Sequence, residues 1–512
     1  MSELQSIAHH ARATPRKTAI VMADGASTTY AELDARINQG AHLLRALALH
    51  PGDTMAMCLG NSLSFFYVAC AAARSGIRLV PISSKLTAAE IQFIVRDSGA
   101  AALVTSPAIE ADHAALPAMM PDVVMLEISI EPAPGYRCWS ALADGQPTGP
   151  IADEAPGTEM LYSSGTTGRP KGIRYLGLPD GSAGGVAAAI LPALNRLGIG
   201  PSTVYLSPAP LYHSGPYAWA MALLRVGGTI VVMERFDAEQ ALRLIAQYRV
   251  TLSQWVPTHF VRLLKLPDSV RNGYDLSSLT LAVHAAAPCP VSVKQAMIDW
   301  WGPILLEYFG SSEQTALTFI TSPEALERPG SVGRCTLGTL HICDDEGNPV
   351  PVGTIGQIYA EGGMRFAYHQ DEEKTRQSRN ALGWTTVGDL GYLDEQGYLF
   401  LTDRKSFMII TGGVNVYPQE VENLLVAHPR IEDAAVIGLP DPDLGEMVTA
   451  VVQPIDMSDA TPAFAEELRN WLREHLSGVK VPKQVLFRSK LPRLPTGKMV
   501  KHRLRDELAR QP

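Results

Sequence analysis

The chain is predicted to be an α/β protein with largely parallel sheets, followed by an antiparallel β section and a small separate unit at its C-terminal end. Three observations carry this expectation. Helical and short β-like patterns alternate over most of the first 400 residues; from about residue 331 the texture changes to short strands joined by Asp/Glu-Gly and Asn-Pro turns; and the last hundred residues hold helices and strands of their own.

Segment 30–48 places Leu33, Ile37, Ala41 and Leu44 at helical spacing, entered from Thr28 and Thr29. Short apolar runs follow at 54–59, 78–82, 101–106, 123–128, 203–207 and 228–233, with helical stretches such as 88–97 and 237–248 between them. Near the end, 418–427 reads as a helix with Val421, Leu424 and Leu425 on one face, and AAVIGL (434–439) and MVTAVVQP (447–454) read as strands. Thr461-Pro462 opens a second amphipathic helix carrying Phe464, Leu468, Trp471 and Leu472, then QVLF (484–487) and a basic tail close the chain. The boundary falls at Asp403-Arg404-Lys405, which divides the chain into 1–404 and 405–512.

Composition narrows the function classes. A net charge of −9 argues against a nucleic-acid binder. No charge-free apolar run approaches the roughly 18–20 residues of a membrane span, and the first residues, with Glu3 and no apolar core, do not read as a signal peptide. The six cysteines form no CxxC pair and read as reduced, mostly buried thiols, so a soluble cytoplasmic protein is expected.

Four motifs carry chemistry. Ser163 to Gly172, SSGTTGRPKG, is made of glycine, hydroxyls and cations, which suits a phosphate: glycines let the backbone approach an anion and hydroxyls donate to its oxygens. It is not the P-loop of NTPases, because Pro170 stands where that loop has its second glycine. Segment 306–315, LEYFGSSEQT, would present Tyr308 as a flat surface for a base and Glu313 as an oxygen ligand for a hard cation such as Mg²⁺. In 383–405 a strand ends at Gly388-Asp389, where a carboxylate can accept from both hydroxyls of a ribose, and Arg404 could add donors. In 491–501, LPRLPTGKMVK, Lys498 projects from a loop held by two prolines and a Thr-Gly pair.

These motifs, in this order, resemble the adenylate-forming superfamily of acyl-CoA synthetases, adenylation domains of peptide synthetases and beetle luciferases, most of all its acyl- or aryl-CoA ligases. The likeness runs from the helix near residue 30 to Lys501. It implies a large N-terminal domain of mixed and parallel sheets with a β-barrel-like subdomain, and a mobile α+β C-terminal domain that carries a catalytic lysine.

Residue by residue, the resemblance implies that Ser163, Ser164, Gly165, Thr166, Thr167, Gly168 and Lys171 hold the phosphates of ATP, with Thr166 and Glu313 serving Mg²⁺. Ala286, in the stretch 284–288, would lie along adenine with Tyr308 on its other face and Gly310 beside it. Ser312 takes the place of the family's usual threonine at the α-phosphate, Asp389 and Arg404 match the ribose pair, and Lys498 matches the lysine that bridges the attacking carboxylate and the α-phosphate. Rotation of the C-terminal domain would then bring Gly412 and Gly413 in as a slot for the pantetheine of coenzyme A, with Ser406 at the hinge position where the family has Asp or Lys.

The acyl pocket is expected around 211–221, Gln254-Trp255-Val256, His284-Ala285 and Gly310, with His213 as a catalytic histidine beside it. No acidic residue lies between Asp180 and Glu234 to bind an ammonium, so the substrate is expected to be a medium-chain, aryl-alkyl or alicyclic carboxylic acid rather than an amino acid. The expected reaction joins that acid to CoA through an acyl-adenylate. The alternatives are an acyl-AMP ligase that loads a separate carrier protein and a non-catalytic nucleotide sensor on the same fold. Homodimers are frequent in the family, but no interface is legible in the residues.

Overall fold

The computed structural model describes residues 6–163, 170–176, 186–404, 407–493 and 499–509. The segments read as helices and strands take those forms. The helix Tyr30–Ala46 opens at Thr29, whose hydroxyl accepts the Glu32 N–H while the Glu32 carboxylate accepts the Thr29 N–H, so two end donors of the helix are satisfied. Ala88–Asp97 starts in the same way at Thr87 and Glu90.

Two large sheets build the N-terminal domain. One has six strands, all parallel, centred on Thr54–Cys58. The other has thirteen. Thr18–Met22, Thr229–Val232, Val204–Ser207, Leu252–Trp255, Leu281–His284 and Leu305–Gly310 run parallel within it. From Leu305–Gly310 onward the same sheet continues antiparallel through Leu317–Thr321, Ser331–Leu337, Tyr398–Arg404, Asp389–Leu393, Gly356–Glu361 and Thr339–Cys343. The β-rich section expected after residue 331 is therefore hydrogen-bonded directly to the parallel half. A third, three-stranded sheet joins Leu161–Ser163, Lys171–Tyr175 and Phe366–Tyr368.

The C-terminal domain has its own sheet, with Ile431–Asp441 and Gly445–Pro454 as its long central pair. Period-two alternation gives it two apolar faces. Ala434 and Val436 pack with Phe464, Leu468 and Leu472 on one side, and Ala435, Ile437 and Leu439 pack with Leu504 and Leu508 on the other. The second face corrects the reading of 501–509 as a mere basic tail. It is a helix, Lys501–Leu508, whose few apolar residues are hidden among charges in the sequence. The expected boundary after Arg404 adjoins residues 405–406, which lie outside the described residues.

The two domains meet through polar contacts. Lys265 pairs with Glu432 at 2.8 Å and donates to the Ile431 carbonyl at 3.1 Å, the Gln419 N–H donates to Asp403 at 3.1 Å, and Arg503 lies 3.7 Å from Glu90. None of the hydrophobic clusters among the described residues contains side chains from both domains. No helix among the described residues is long and apolar enough to cross a membrane.

Replacing Leu504, 3 % exposed, by alanine is expected to cost ~2–4 kcal/mol of C-terminal domain stability through the cavity it leaves. Chemical denaturation followed by the fluorescence of Trp471 checks this, and an unchanged midpoint would mean that the last helix adds nothing to the domain core.

Candidate active site

Register decides where the site forms. In the parallel ladder Trp255 stands opposite His284, and His284 opposite Glu307, so three strands release the chain at the same end of the sheet. Ligands of such sheets bind beyond the carboxyl ends of the strands. Here that end opens into a cavity of about 990 Å³ between the domains, lined by Ala286, Tyr308, Gly310 and Asp389 from one side and by Arg493, Met499 and Lys501 from the other. Ala286 holds φ +78°, a conformation costly for any residue with a side chain, at the place where the backbone bends to form the cavity wall.

Tyr308 and its neighbour Phe309 alternate across the strand. The Tyr308 ring packs 6.4 Å from Trp219 and 6.1 Å from Phe319, and its hydroxyl accepts from the Gln254 amide at 3.1 Å. Trp219 and Gln254 are residues of the expected acyl pocket, so Tyr308 is turned to that side rather than offered to a base. Phe309 also lines the cavity and packs from the opposite face against the cluster of Ala316, Val332 and Leu340. The sequence reading missed Phe309, although period-two alternation in EYFG shows that two successive aromatics must face opposite ways. His284, expected in the acyl pocket, is fully buried behind the wall, 3.9 Å from Glu307 and edge-on to Phe260.

A hairpin carries the phosphate loop. Ser163 and Lys171 are paired across the strands at its base, and the loop between them, including Ser164, Gly165, Thr166, Thr167 and Gly168, lies outside the described residues. The same small sheet gathers the motif at 312–313: Tyr175 donates to the Ser312 carbonyl at 2.6 Å, and Tyr368 donates to Glu313 Oε1 at 3.0 Å. Glu313 is buried, and its charge acts on Lys171. Burial brings the Lys171 ammonium down to about 8; nearby Lys374 pushes the same way, with Asp371 and Glu313 opposing.

No group of three or more metal-binding side chains occurs among the described residues. A lone buried carboxylate nonetheless fits Mg²⁺, which is commonly held by one or two carboxylates together with substrate phosphates. Glu313 would be that ligand, with the second oxygen of its carboxylate available beside the Tyr368 bond.

Asp389 begins its strand directly after Gly388, at φ +86°, and stands opposite Arg404 in the ladder. The strand pairing thus brings the two expected ribose residues together as backbone neighbours. His213 is placed differently from its expected role. It precedes the helix Ser214–Arg225, is not among the described residues lining the cavity, and has an enclosed Nε2 without a partner. Burial pushes its imidazole down to about 3, so the ring is neutral at pH 7 and ill suited to exchange protons there.

Gly412 and Gly413 form the turn between Ile409–Thr411 and Val414–Val416, at φ +56° and +78°. They are exposed and lie off the cavity. Lys498 lies outside the described residues, but Arg493 and Met499 on either side of its segment both line the cavity, and Arg493 is held by two bonds of 2.5 and 2.6 Å to Asp433.

A cleft between two domains, open at the carboxyl ends of parallel strands on one side and flanked by Arg493 and Met499 on the other, is the architecture of an adenylate-forming enzyme. The chain belongs to the AMP-binding enzyme family: the family model matches residues 7–366, and that of the AMP-binding enzyme C-terminal domain matches 420–498. It is 32% identical over 501 residues to a feruloyl-CoA synthase of Amycolatopsis sp, covering 97% of this chain and 96% of the relative. It is 29% identical over 520 residues to the fatty acid–[acyl-carrier-protein] ligase ScoC of Streptomyces coeruleorubidus, covering 98% and 96%. Among solved structures it is similar to the o-succinylbenzoate CoA synthetase MenE of Bacillus subtilis in complex with its acyl-adenylate intermediate, with a TM-score of 0.81, 26% identity, and 98% and 97% of the two chains covered.

Lys171 must be protonated to attract phosphate, and with a pKa of about 8 it loses its charge as the pH rises through that value. ATP affinity is therefore expected to fall above pH 8, with a proton taken up on binding, and Lys171→Arg should flatten that limb. Isothermal titration in two buffers of different ionisation heat measures both effects. An identical pH profile in the arginine variant would remove Lys171 as their source.

Proposed function

We propose that this protein is an ATP-dependent carboxylic acid–CoA ligase acting through an acyl-adenylate on a medium-chain, aryl-alkyl or alicyclic acid. The observation that carries the reading is the single cavity that brings Ala286, Phe309 and Asp389 of one domain face to face with Arg493 and Met499 of the other. Phe309, in place of Tyr308, takes the adenine ring, Asp389 and Arg404 take the ribose, and the hairpin with Lys171 takes the phosphates.

A carboxylate and a triphosphate repel one another, so the step needs cations placed where charge gathers. Lys498 bridges the attacking carboxylate and the α-phosphate, and Lys171 with the loop donors binds the departing pyrophosphate. Mg²⁺ supplies further neutralisation of the phosphates when bound by Glu313. Trp219, Tyr217 and Tyr308, with Gly215 leaving space, form the walls for the acyl group.

The second half-reaction uses the exposed turn at Gly412 and Gly413. The unit from residue 405 onward rotates about the junction near Ser406, withdraws the lysine loop and brings this turn to the cavity, where its lack of side chains admits a pantetheine arm. A second reading, transfer to a carrier protein, is favoured by the likeness to a relative named as an acyl-carrier-protein ligase.

ATP consumption across a panel of carboxylic acids, with and without CoA, tests the reading: AMP and acyl-CoA are expected for one class of acid, whereas acyl-AMP that ignores CoA would favour the carrier-protein reading. Lys498→Ala is expected to lower acyl-AMP formation by ~100-fold or more while largely sparing thioester formation from supplied acyl-AMP. Equal loss in both half-reactions would defeat the assignment of two arrangements.

A further inference from the structure

The hydroxyl proton of Tyr308 has no acceptor among the described residues. Tyr205, 1 % exposed in the core, donates to Gln254 Oε1 at 3.0 Å. That bond orients the amide, whose Nε2 donates to the Tyr308 oxygen at 3.1 Å. The Trp219 indole, a donor without acceptor capacity, faces the same oxygen. Tyr308 thus receives hydrogen bonds from its neighbours, and its own O–H meets no acceptor among the described residues.

The chain has a physical reason to run in this direction. Ser207, fully buried, faces Tyr205 at the inner end, and its hydroxyl has no other partner. Running the chain inward would leave the spare proton on Ser207 in the core, at a cost of ~1–3 kcal/mol. Running it outward places that proton on Tyr308, the one member of the four that lines the cavity.

Glycine at 215 keeps a side chain from crowding the hydroxyl. A Cβ on Gly215 would stand 3.1 Å from the Tyr308 oxygen and 3.2 Å from Gln254 Nε2. The remaining neighbours are the rings of Trp219 and Phe319, which offer the hydroxyl no acceptor. A single fixed donor on an otherwise apolar wall is the arrangement by which a pocket selects for an oxygen, because a hydrocarbon ligand leaves the donor unpaired.

We propose that Tyr308 donates its O–H to an uncharged oxygen on the acyl group, an ether, carbonyl or phenol oxygen, and so selects oxygen-bearing acids over hydrocarbon acids of the same shape. Among the described residues no cation packs against this hydroxyl, so it suits a neutral oxygen better than the reacting carboxylate. The inference rests on the ligase reading and narrows its substrate class.

The test replaces one methylene by oxygen. Straight-chain acids of seven to ten carbons are compared with analogues carrying an ether oxygen at each successive position, together with 3-(4-methoxyphenyl)propanoic and 3-(4-ethylphenyl)propanoic acids. The readout is the ratio of kcat/KM for pyrophosphate release within each matched pair. At one position the oxygen analogue is expected to lead by about tenfold, and Tyr308→Phe should bring that ratio to about one. Gln254→Met, which keeps the phenol but removes its orienting partner, should reduce the ratio in part and serves in its place if Tyr308→Phe does not fold.

A hydrocarbon preference at every position, or an oxygen preference that survives in whichever of these variants folds, overturns the inference while leaving the ligase reading intact. No acid-dependent pyrophosphate release by the unaltered protein overturns both.

Discussion

Glu307 is a carboxylate at 3 % exposure in the centre of the N-terminal domain, and the geometry of the cleft depends on how its charge is held. Lys294, on the helix Val291–Trp301, donates to it and reaches the Ser331 carbonyl at 3.5 Å. One ammonium thereby ties a helix to two strands. Burial pushes the Glu307 carboxyl upward and Lys294 opposes it, while burial and the Lys294 charge together hold the adjacent His284 well below its usual range. The result is one ion pair beside a neutral imidazole. Removing one member of such a buried pair typically costs ~3–5 kcal/mol, because the other is left charged without water. The next three residues along the strand, Tyr308, Phe309 and Gly310, border the cavity from alternating faces, so the anchoring of Glu307 sets the position of each.

From that anchor the site separates its chemistry by strand face and by sheet. Tyr308 turns to Gln254 and Trp219, Phe309 to the opposite side, and Lys171 lies on a different, three-stranded sheet. Tyr175 and Tyr368 join the two through Ser312 and Glu313, so the hairpin that carries the glycine loop cannot shift without moving the carboxylate. Lys171, half-buried on that hairpin, stands beside a second lysine, Lys374, and both burial and this neighbour weaken its hold on a proton.

Much of this was legible in the residues. Period-two and period-3.6 patterns located the strands and helices of both domains, and the motifs around Ser163, Glu313, Asp389 and Lys498 pointed to the family to which the chain belongs. What escaped depended on packing partners far away in sequence. The phase of the Tyr308-Phe309 pair follows from which face of the strand meets Gln254, a contact across 54 residues. The last helix was hidden because only Leu504 and Leu508 mark its apolar face, and two leucines among charges do not make a readable stripe.

The polar seam between the domains has a consequence for how such a protein can change over generations. Each domain completes its hydrophobic core with its own side chains, and the contacts across the seam are exposed pairs such as Lys265–Glu432, of a kind worth little individually. A substitution that repacks one core therefore places no demand on the other. The pocket that chooses the acid and the unit that carries the lysine can drift independently, constrained together only where both must present correct surfaces to one shared ligand. Inheritance can treat this chain as two loosely coupled traits, each domain free to change its own interior without disturbing the other's.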